Sequence, residues 1–132
     1  MDSFQISTAY RSQFIDITSQ VQRLVSDIKI TEGRCHIWVP HTTAGLTVNE
    51  NADPSVVEDI LRQLDRMVPW ENHYRHGEGN SAAHIKSSLL GCQLTVMIKG
   101  GHLQLGTWQG IYFCEFDGPR QRQVWVEICP KS

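Results

Sequence analysis

The last third of the chain contains three strand-like segments separated by turn residues, and this pattern restricts the folds open to the whole chain. The segments are rich in β-branched and aromatic residues and cover residues 93–99, 109–116 and 123–128. Gly100-Gly101 follows the first segment and Asp117-Gly118-Pro119 follows the second, and such residues end strands and form turns. Because short turns join antiparallel neighbours, the pattern predicts a mainly antiparallel sheet.

Three other segments have helical spacing. The clearest begins at Asp53-Pro54, where Asp53 caps free N–H groups and Pro54 suits the first helical position. Its apolar stripe predicts a helix that rests on the sheet, and consists of Val57, Ile60, Leu61, Leu64 and Val68. An earlier helix is predicted to begin after Thr18 or Ser19 and to close at Gly33. A later helix covers residues 82–90, with Ile85 and Leu89 on its buried face.

Shorter strand-like segments precede and separate these helices, at residues 4–10, 14–17, 35–39 and 46–48. With 132 residues the chain is long enough for one domain and too short for two ordinary ones. We therefore predict a single α+β domain over residues 1–132, with a mainly antiparallel sheet and two or three helices packed on one face.

Composition excludes several classes of protein. The formal net charge is −2, which argues against a nucleic-acid partner. No apolar run approaches the roughly 20 residues that cross a bilayer, and the N-terminus has no pattern of a signal peptide. The four cysteines form no CxxC pair, which favours buried thiols in a reducing compartment over a zinc site. We expect a cytoplasmic protein with no membrane partner.

Three of the six histidines are candidate metal ligands, namely His41, His76 and His84. Neutral imidazole is a common ligand for zinc, and three such ligands leave a coordination position open for water or substrate. His76 lies in a long polar loop between residues 69 and 81, and long loops in small domains are usually functional. No HExxH motif is present, so separate surface histidines remain the alternative.

Two carboxylates are candidates for proton transfer. Glu50 lies between two asparagines after a strand end, where no structural role explains it, so it is the better candidate for a general base. Asp53 is already explained as a helix cap.

Residues near the last helix and in a glycine-flanked segment are candidate phosphate ligands. Lys86 and Ser87 lie near a helix start, where charge, hydroxyl and free N–H groups combine, although a solvated lysine is the alternative. Thr107 and Gln109 flank Trp108 between two glycines, which permit close approach of the backbone. A tryptophan there is more often a core or interface residue.

Three strings of the sequence resemble the motifs of the YjbQ family. They are HTTAGLTVNEN at residues 41–51 with Asp53-Pro54 after it, HIKSSLLG at 84–91, and LGTWQG at 105–110. The resemblance extends from the first strand to the last, in the same order and with similar gaps.

The resemblance implies a small α+β fold that assembles as a homotrimer, with a site near the subunit boundaries. It implies that His41, His76 and His84 share this site, which would hold a divalent metal ion such as zinc or magnesium. Glu50, Lys86, Ser87, Thr107 and Gln109 fall in matching motifs. Some members of the family are described as having a secondary thiamine-phosphate synthase activity, which joins a pyrimidine diphosphate to a thiazole phosphate.

Two hypotheses of function follow. The first is an enzyme acting on a phosphorylated small molecule, in which Lys86 and Ser87 hold phosphate, and Glu50, His41 or His84 moves protons. Its reaction is thiamine-phosphate synthesis as a side activity, or metal-assisted hydrolysis. The second is a non-catalytic trimer that binds a metal ion or an anion.

Overall fold

Eight strands and three helices make up the computed structural model, which describes all 132 residues. The helices are α1 (Thr18–Ile28), α2 (Pro54–Met67) and α3 (Ser81–Leu90). The strands are β1 (Asp2–Ser7), β2 (Gln13–Asp16), β3 (Glu32–Trp38), β4 (Ala44–Glu50), β5 (Gln93–Lys99), β6 (His102–Leu103), β7 (Gln109–Glu115) and β8 (Gln121–Pro130).

The strands form two antiparallel sheets. One has five strands in the order β1-β8-β3-β5-β6, and the other has three in the order β2-β7-β4. Every strand pair is antiparallel, which confirms the predicted sheet type. The division into two sheets was not predicted, because it depends on pairings between strands far apart in the chain, such as β1 with β8.

Strand β7 separates two hydrophobic clusters. Its Ile111 and Phe113 belong to the main core, which joins both sheets to Val21 and Val25 of α1. The alternate residues Tyr112 and Cys114 face the other way into a smaller cluster, against which α2 and α3 pack. The three-stranded sheet is therefore covered on both faces, whereas the five-stranded sheet has one face exposed.

Helix α2 begins as the sequence predicts. The Asp53 Oδ1 accepts hydrogen bonds from the Ser55 N–H (2.9 Å) and hydroxyl (2.8 Å), and these bonds lower the pKa of the Asp53 carboxyl. No residue of the helix is buried, however. Val57 and Leu64 pack only partly against the smaller cluster. The apolar stripe was predicted to pack on a sheet, and only part of it does so.

The buried face of helix α3 is not the one that the sequence predicts. Ile85 and Leu89, predicted to face inward, are 38% and 58% exposed, and the prediction of their burial is wrong. The buried side carries Ala82, Ala83, Lys86 and Ser87. Two alanines let the helix approach the sheet closely, and the hydrogen bond of the Ser87 hydroxyl to the Ala44 carbonyl (2.6 Å) fixes that approach.

Helix α1 ends earlier than predicted. It stops at Ile28, where Lys29 has a left-handed conformation (φ 61°), and Gly33 already lies in β3. The Asp16 Oδ1 accepts hydrogen bonds from the N–H (2.9 Å) and hydroxyl (2.6 Å) of Thr18 at the start of the helix. None of the helices has the length and apolar character needed to span a membrane.

Candidate functional site

His76 and His84 meet at the start of α3. Their ring centroids are 5.4 Å apart and their planes are nearly perpendicular, at 87°. The two imidazoles line a surface cleft, the His76/His84 cleft, whose lining is completed by Tyr74, Arg75, Ser81 and Ile85. The structure therefore brings two of the three predicted histidines together.

The polar loop before α3 positions His76. The Tyr74 hydroxyl donates a hydrogen bond to the Pro69 carbonyl (2.7 Å), which ties the middle of the loop to its beginning. The Gly79 N–H donates to the His76 carbonyl (3.1 Å), and Gly79 has the positive φ (74°) that this turn requires. The Arg11 guanidinium lies 4.1 Å from the centre of the Trp70 ring. Tyr74 and Trp70 therefore anchor the loop to the rest of the chain.

The N-terminus of α3 has no side-chain cap, although Asn80 occupies the capping position. The Asn80 Nδ2 donates to the Asp117 Oδ2 (2.9 Å), and the Asn80 Oδ1, the atom that could cap the helix, has no hydrogen-bond partner. Amide groups in the first turn of an uncapped helix attract anions. An anion in the cleft would meet the Arg75 guanidinium, the Ser81 hydroxyl and imidazole N–H groups, with the Glu78 Oε1 3.7 Å from the His76 Nε2.

His41 does not line the His76/His84 cleft. Its Nε2 accepts a hydrogen bond from the Gln123 N–H (2.9 Å), so this nitrogen carries no proton. Burial lowers the pKa of His41, and the nearby Arg122 lowers it further. Within one chain, no group of three or more His, Cys, Asp or Glu side chains is placed to hold a metal ion. One chain therefore does not assemble the three-histidine metal site.

A buried ion pair that the sequence did not indicate lies beside His41. Glu115 and Arg122 are 0% and 5% exposed and bind each other through both carboxylate oxygens. The Glu115 carboxylate also accepts hydrogen bonds from the Thr8 hydroxyl (2.7 Å) and from the N–H groups of Phe116 and Asp117 (3.1 Å each). Arg122 follows the Gly118-Pro119 turn, a position typical of a surface charge. The burial of its partner Glu115 has one indication in the sequence, namely the position of this glutamate between Cys114 and Phe116 in a mainly apolar segment.

Lys86 and Ser87 are turned away from the cleft. Lys86 is 3% exposed and its ammonium group pairs with the Asp65 carboxylate of α2. The Ser87 hydroxyl donates to the Ala44 carbonyl. Both groups are engaged in packing α3, and their role in binding phosphate stays a prediction.

Glu50 lies at the end of β4, in a different polar group. Its carbonyl accepts a hydrogen bond from the Tyr112 hydroxyl (3.0 Å), and Asn51 beside it donates to the Asp16 carboxylate (3.0 Å). The pKa of Tyr112 is raised by burial and then by the negative charges of Asp16 and Glu50. Glu50 does not line the His76/His84 cleft. Its role as a general base stays a prediction.

Thr107 lies in the exposed turn before β7, and Gln109 is the first residue of that strand. The Gln109 Oε1 accepts a hydrogen bond from the Gly106 N–H (2.8 Å), which closes the turn. Trp108 between them is 62% exposed and is not a core residue. The role of Thr107 and Gln109 in binding phosphate stays a prediction.

All four cysteines are free thiols; Cys35 and Cys114 are buried as expected, whereas Cys92 and Cys129 are only partly buried. Burial raises the pKa of Cys35 to about 11 and raises that of Cys114 as well.

We expect iodoacetamide at pH 8 to modify only the half-buried Cys92 and Cys129 of the folded protein, giving two adducts by intact mass spectrometry. The unfolded chain should give four. Four adducts at the unfolded rate on the folded protein would contradict this prediction.

Comparisons with known proteins all lead to one family. A family model described as UPF0047 protein YjbQ-like matches residues 2–131. The chain is 51% identical to the UPF0047 protein YugU of Bacillus subtilis over 129 residues, covering 97% of this chain and 98% of that protein. It is 53% identical to a UPF0047 protein of Methanocaldococcus jannaschii over 125 residues, covering 95% and 91%.

Solved structures of the same family are also similar. The structure of an uncharacterized conserved protein of the YjbQ/UPF0047 family from Clostridium acetobutylicum has a TM-score of 0.96 and 50% identity, covering 98% of this chain and 100% of that one. A YbjQ-like protein of unknown function from Sulfolobus solfataricus has a TM-score of 0.94 and 34% identity, covering 98% and 96%. These matches confirm the resemblance found in the sequence motifs.

Proposed function

The chain belongs to the YjbQ-like UPF0047 family, and we propose that it binds the phosphate group of a phosphorylated small molecule in the His76/His84 cleft. The observation that carries the proposal is the approach of two imidazoles, 5.4 Å apart, at the uncapped start of α3. Arg75 and Ser81 line the same cleft. Guanidinium, imidazole and hydroxyl groups all donate hydrogen bonds to phosphate oxygens.

The same groups support chemistry on that phosphate. A guanidinium and a helix N-terminus stabilise the negative charge of a leaving phosphate or pyrophosphate, and an imidazole donates or accepts a proton. The thiamine-phosphate synthase reaction implied by the family resemblance releases pyrophosphate, and we propose it as a side activity of this cleft. Since Glu50 lies outside the cleft, His84 is the better candidate for proton transfer.

A homotrimer with a three-histidine metal site belongs to the same proposal. One chain supplies only His76 and His84 to the cleft, so His41 of a neighbouring copy would have to complete the ligand set. Elemental analysis of the purified protein after incubation with zinc, together with light scattering, tests both parts. A monomer that retains no metal would end this part of the proposal.

Replacing His84 with alanine tests the binding proposal. We expect the affinity for inorganic pyrophosphate, measured by titration calorimetry, to fall at least about tenfold, because hydrogen bonds to a charged group are strong. His102→Ala is the matched control, since His102 is exposed and lies outside the cleft. Equal affinities of the wild type and His84→Ala would contradict the proposal.

The second candidate function is binding without catalysis. It is favoured by the position of Lys86 and Ser87, which are engaged in packing, and of Glu50, which is outside the cleft. A turnover assay with both thiamine precursors separates the two functions. Product formation that His84→Ala abolishes favours the enzyme, whereas tight pyrophosphate binding with no product at any metal concentration favours the binding protein.

A further inference from the structure

The exposed face of the five-stranded sheet carries an aromatic pair. Trp38 of β3 and Trp125 of β8 lie directly opposite each other in the antiparallel register. Trp38 is 47% exposed, and with Met1 the two indoles line a surface pocket. Exposed aromatic rings on an open sheet are platforms on which nucleobases stack.

The next pair along the same face is polar. His36 of β3 lies opposite Glu127 of β8, and both residues line the same pocket as the tryptophans. The Glu127 side chain is exposed and forms no ion pair within the chain. Carboxylates in nucleotide sites accept hydrogen bonds from ribose hydroxyls. The position of Glu127, two residues from Trp125 along β8, suits that contact.

The far end of the face is basic. Arg34, Lys99 and Lys131 line a second cavity together with Gln104 and one carboxylate, that of Glu32. Lys131 pairs with Glu32 at 3.3 Å, whereas Arg34 and Lys99 form no ion pair within the chain. Two cations without partners at one cavity favour an anionic ligand. The net negative charge of the chain does not prevent this, because the cations are concentrated at one end of one face.

The order of these groups matches the order of groups in a nucleotide. Trp38, His36 and Arg34 are alternate residues of β3 and point to the same side of the sheet. Four residues of a strand span about 13 Å, which is close to the length of an extended nucleoside diphosphate. We propose that this face binds a nucleoside diphosphate or triphosphate, with its base on the tryptophan pair, its ribose at Glu127 and its phosphates at Arg34 and Lys99. This site shares no residue with the His76/His84 cleft, so it goes beyond the proposed function.

Titration calorimetry of the full chain with ADP tests the proposal. We expect Trp38→Ala and Arg34→Gln each to weaken ADP binding by about tenfold or more, because stacking and phosphate contacts are both lost in part. Trp108→Ala is the control, since Trp108 is also exposed but lies in the turn before β7. Adenosine should bind more weakly than ADP, and its affinity should not change in Arg34→Gln.

Three results would overturn the proposal. The first is an ADP affinity that is the same in the wild type and both variants. The second is a lower mass of Trp38→Ala in light scattering, because it would make this face a contact between copies of the chain. The third is tighter binding of a single-stranded oligonucleotide than of ADP. We expect His84→Ala to keep the ADP affinity of the wild type, because His84 lines neither cavity of this face.

Discussion

Replacement of Arg122 with methionine is expected to lower the free energy of unfolding by about 3–5 kcal/mol, since it leaves the buried charge of Glu115 without a counter-ion. Both side chains are almost completely buried, and Arg122 also donates to the Thr43 hydroxyl (2.8 Å). Glu115→Met should be at least as damaging. It leaves the Phe116 and Asp117 N–H groups and the Thr8 hydroxyl without their acceptor.

Urea denaturation followed by circular dichroism measures this loss. Arg62→Met is the control, because Arg62 forms an exposed ion pair with Asp59 and its removal should cost no more than about 1 kcal/mol. If Arg122→Met does not fold, a lower yield of soluble protein than that of Arg62→Met shows that its stability is reduced. A loss no larger than that of the control would show that the buried pair is not needed for stability.

Gly45→Ala is expected to cost about 1–3 kcal/mol, because the new methyl group has no space. A Cβ at Gly45 would lie 2.6 Å from the Gly91 carbonyl oxygen, which accepts the Leu46 N–H (3.0 Å). Backbone cannot move aside as a flexible side chain can, so either this hydrogen bond or the contact between α3 and β4 must be disturbed. The motif glycine is therefore a packing residue.

Gly77→Ala is the control for this prediction. A Cβ at Gly77 would meet no atom within 4 Å, so the change should alter the free energy of unfolding by no more than about 0.5 kcal/mol. Thermal unfolding of both variants gives the comparison. Equal melting temperatures of Gly45→Ala and the wild type would mean that α3 shifts to admit the methyl group at no cost.

Local signals explain which parts of the fold could be predicted. The start of α2 depends on Asp53 and Pro54, which are adjacent in sequence, and the structure has the predicted cap. The strands near the C-terminus were predicted because their turn residues lie directly beside them. The two-sheet arrangement was not, since the pairing of β7 with β2 and β4 joins segments far apart in the chain.

The candidate site shows the same limit. His76 and His84 are eight residues apart in the sequence, and the loop and the start of α3 bring them together. Because they are close in the sequence, their meeting could be predicted. The inward face of α3 was predicted wrongly, because apolar spacing favoured Ile85 and Leu89 while Asp65 of another helix holds Lys86 inside. No residue near Lys86 in the sequence indicates that partner.

The position of β7 between two hydrophobic clusters links the formation of the two layers. A slip of one residue in its pairing would turn Phe113 toward the smaller cluster and Tyr112 toward the main core. Both clusters would lose their packing together. The register that fills the main core is also the one that presents Tyr112 and Cys114 to α2 and α3. The helical layer therefore has no surface to dock on until the central strand is aligned, which makes the two layers one cooperative folding unit.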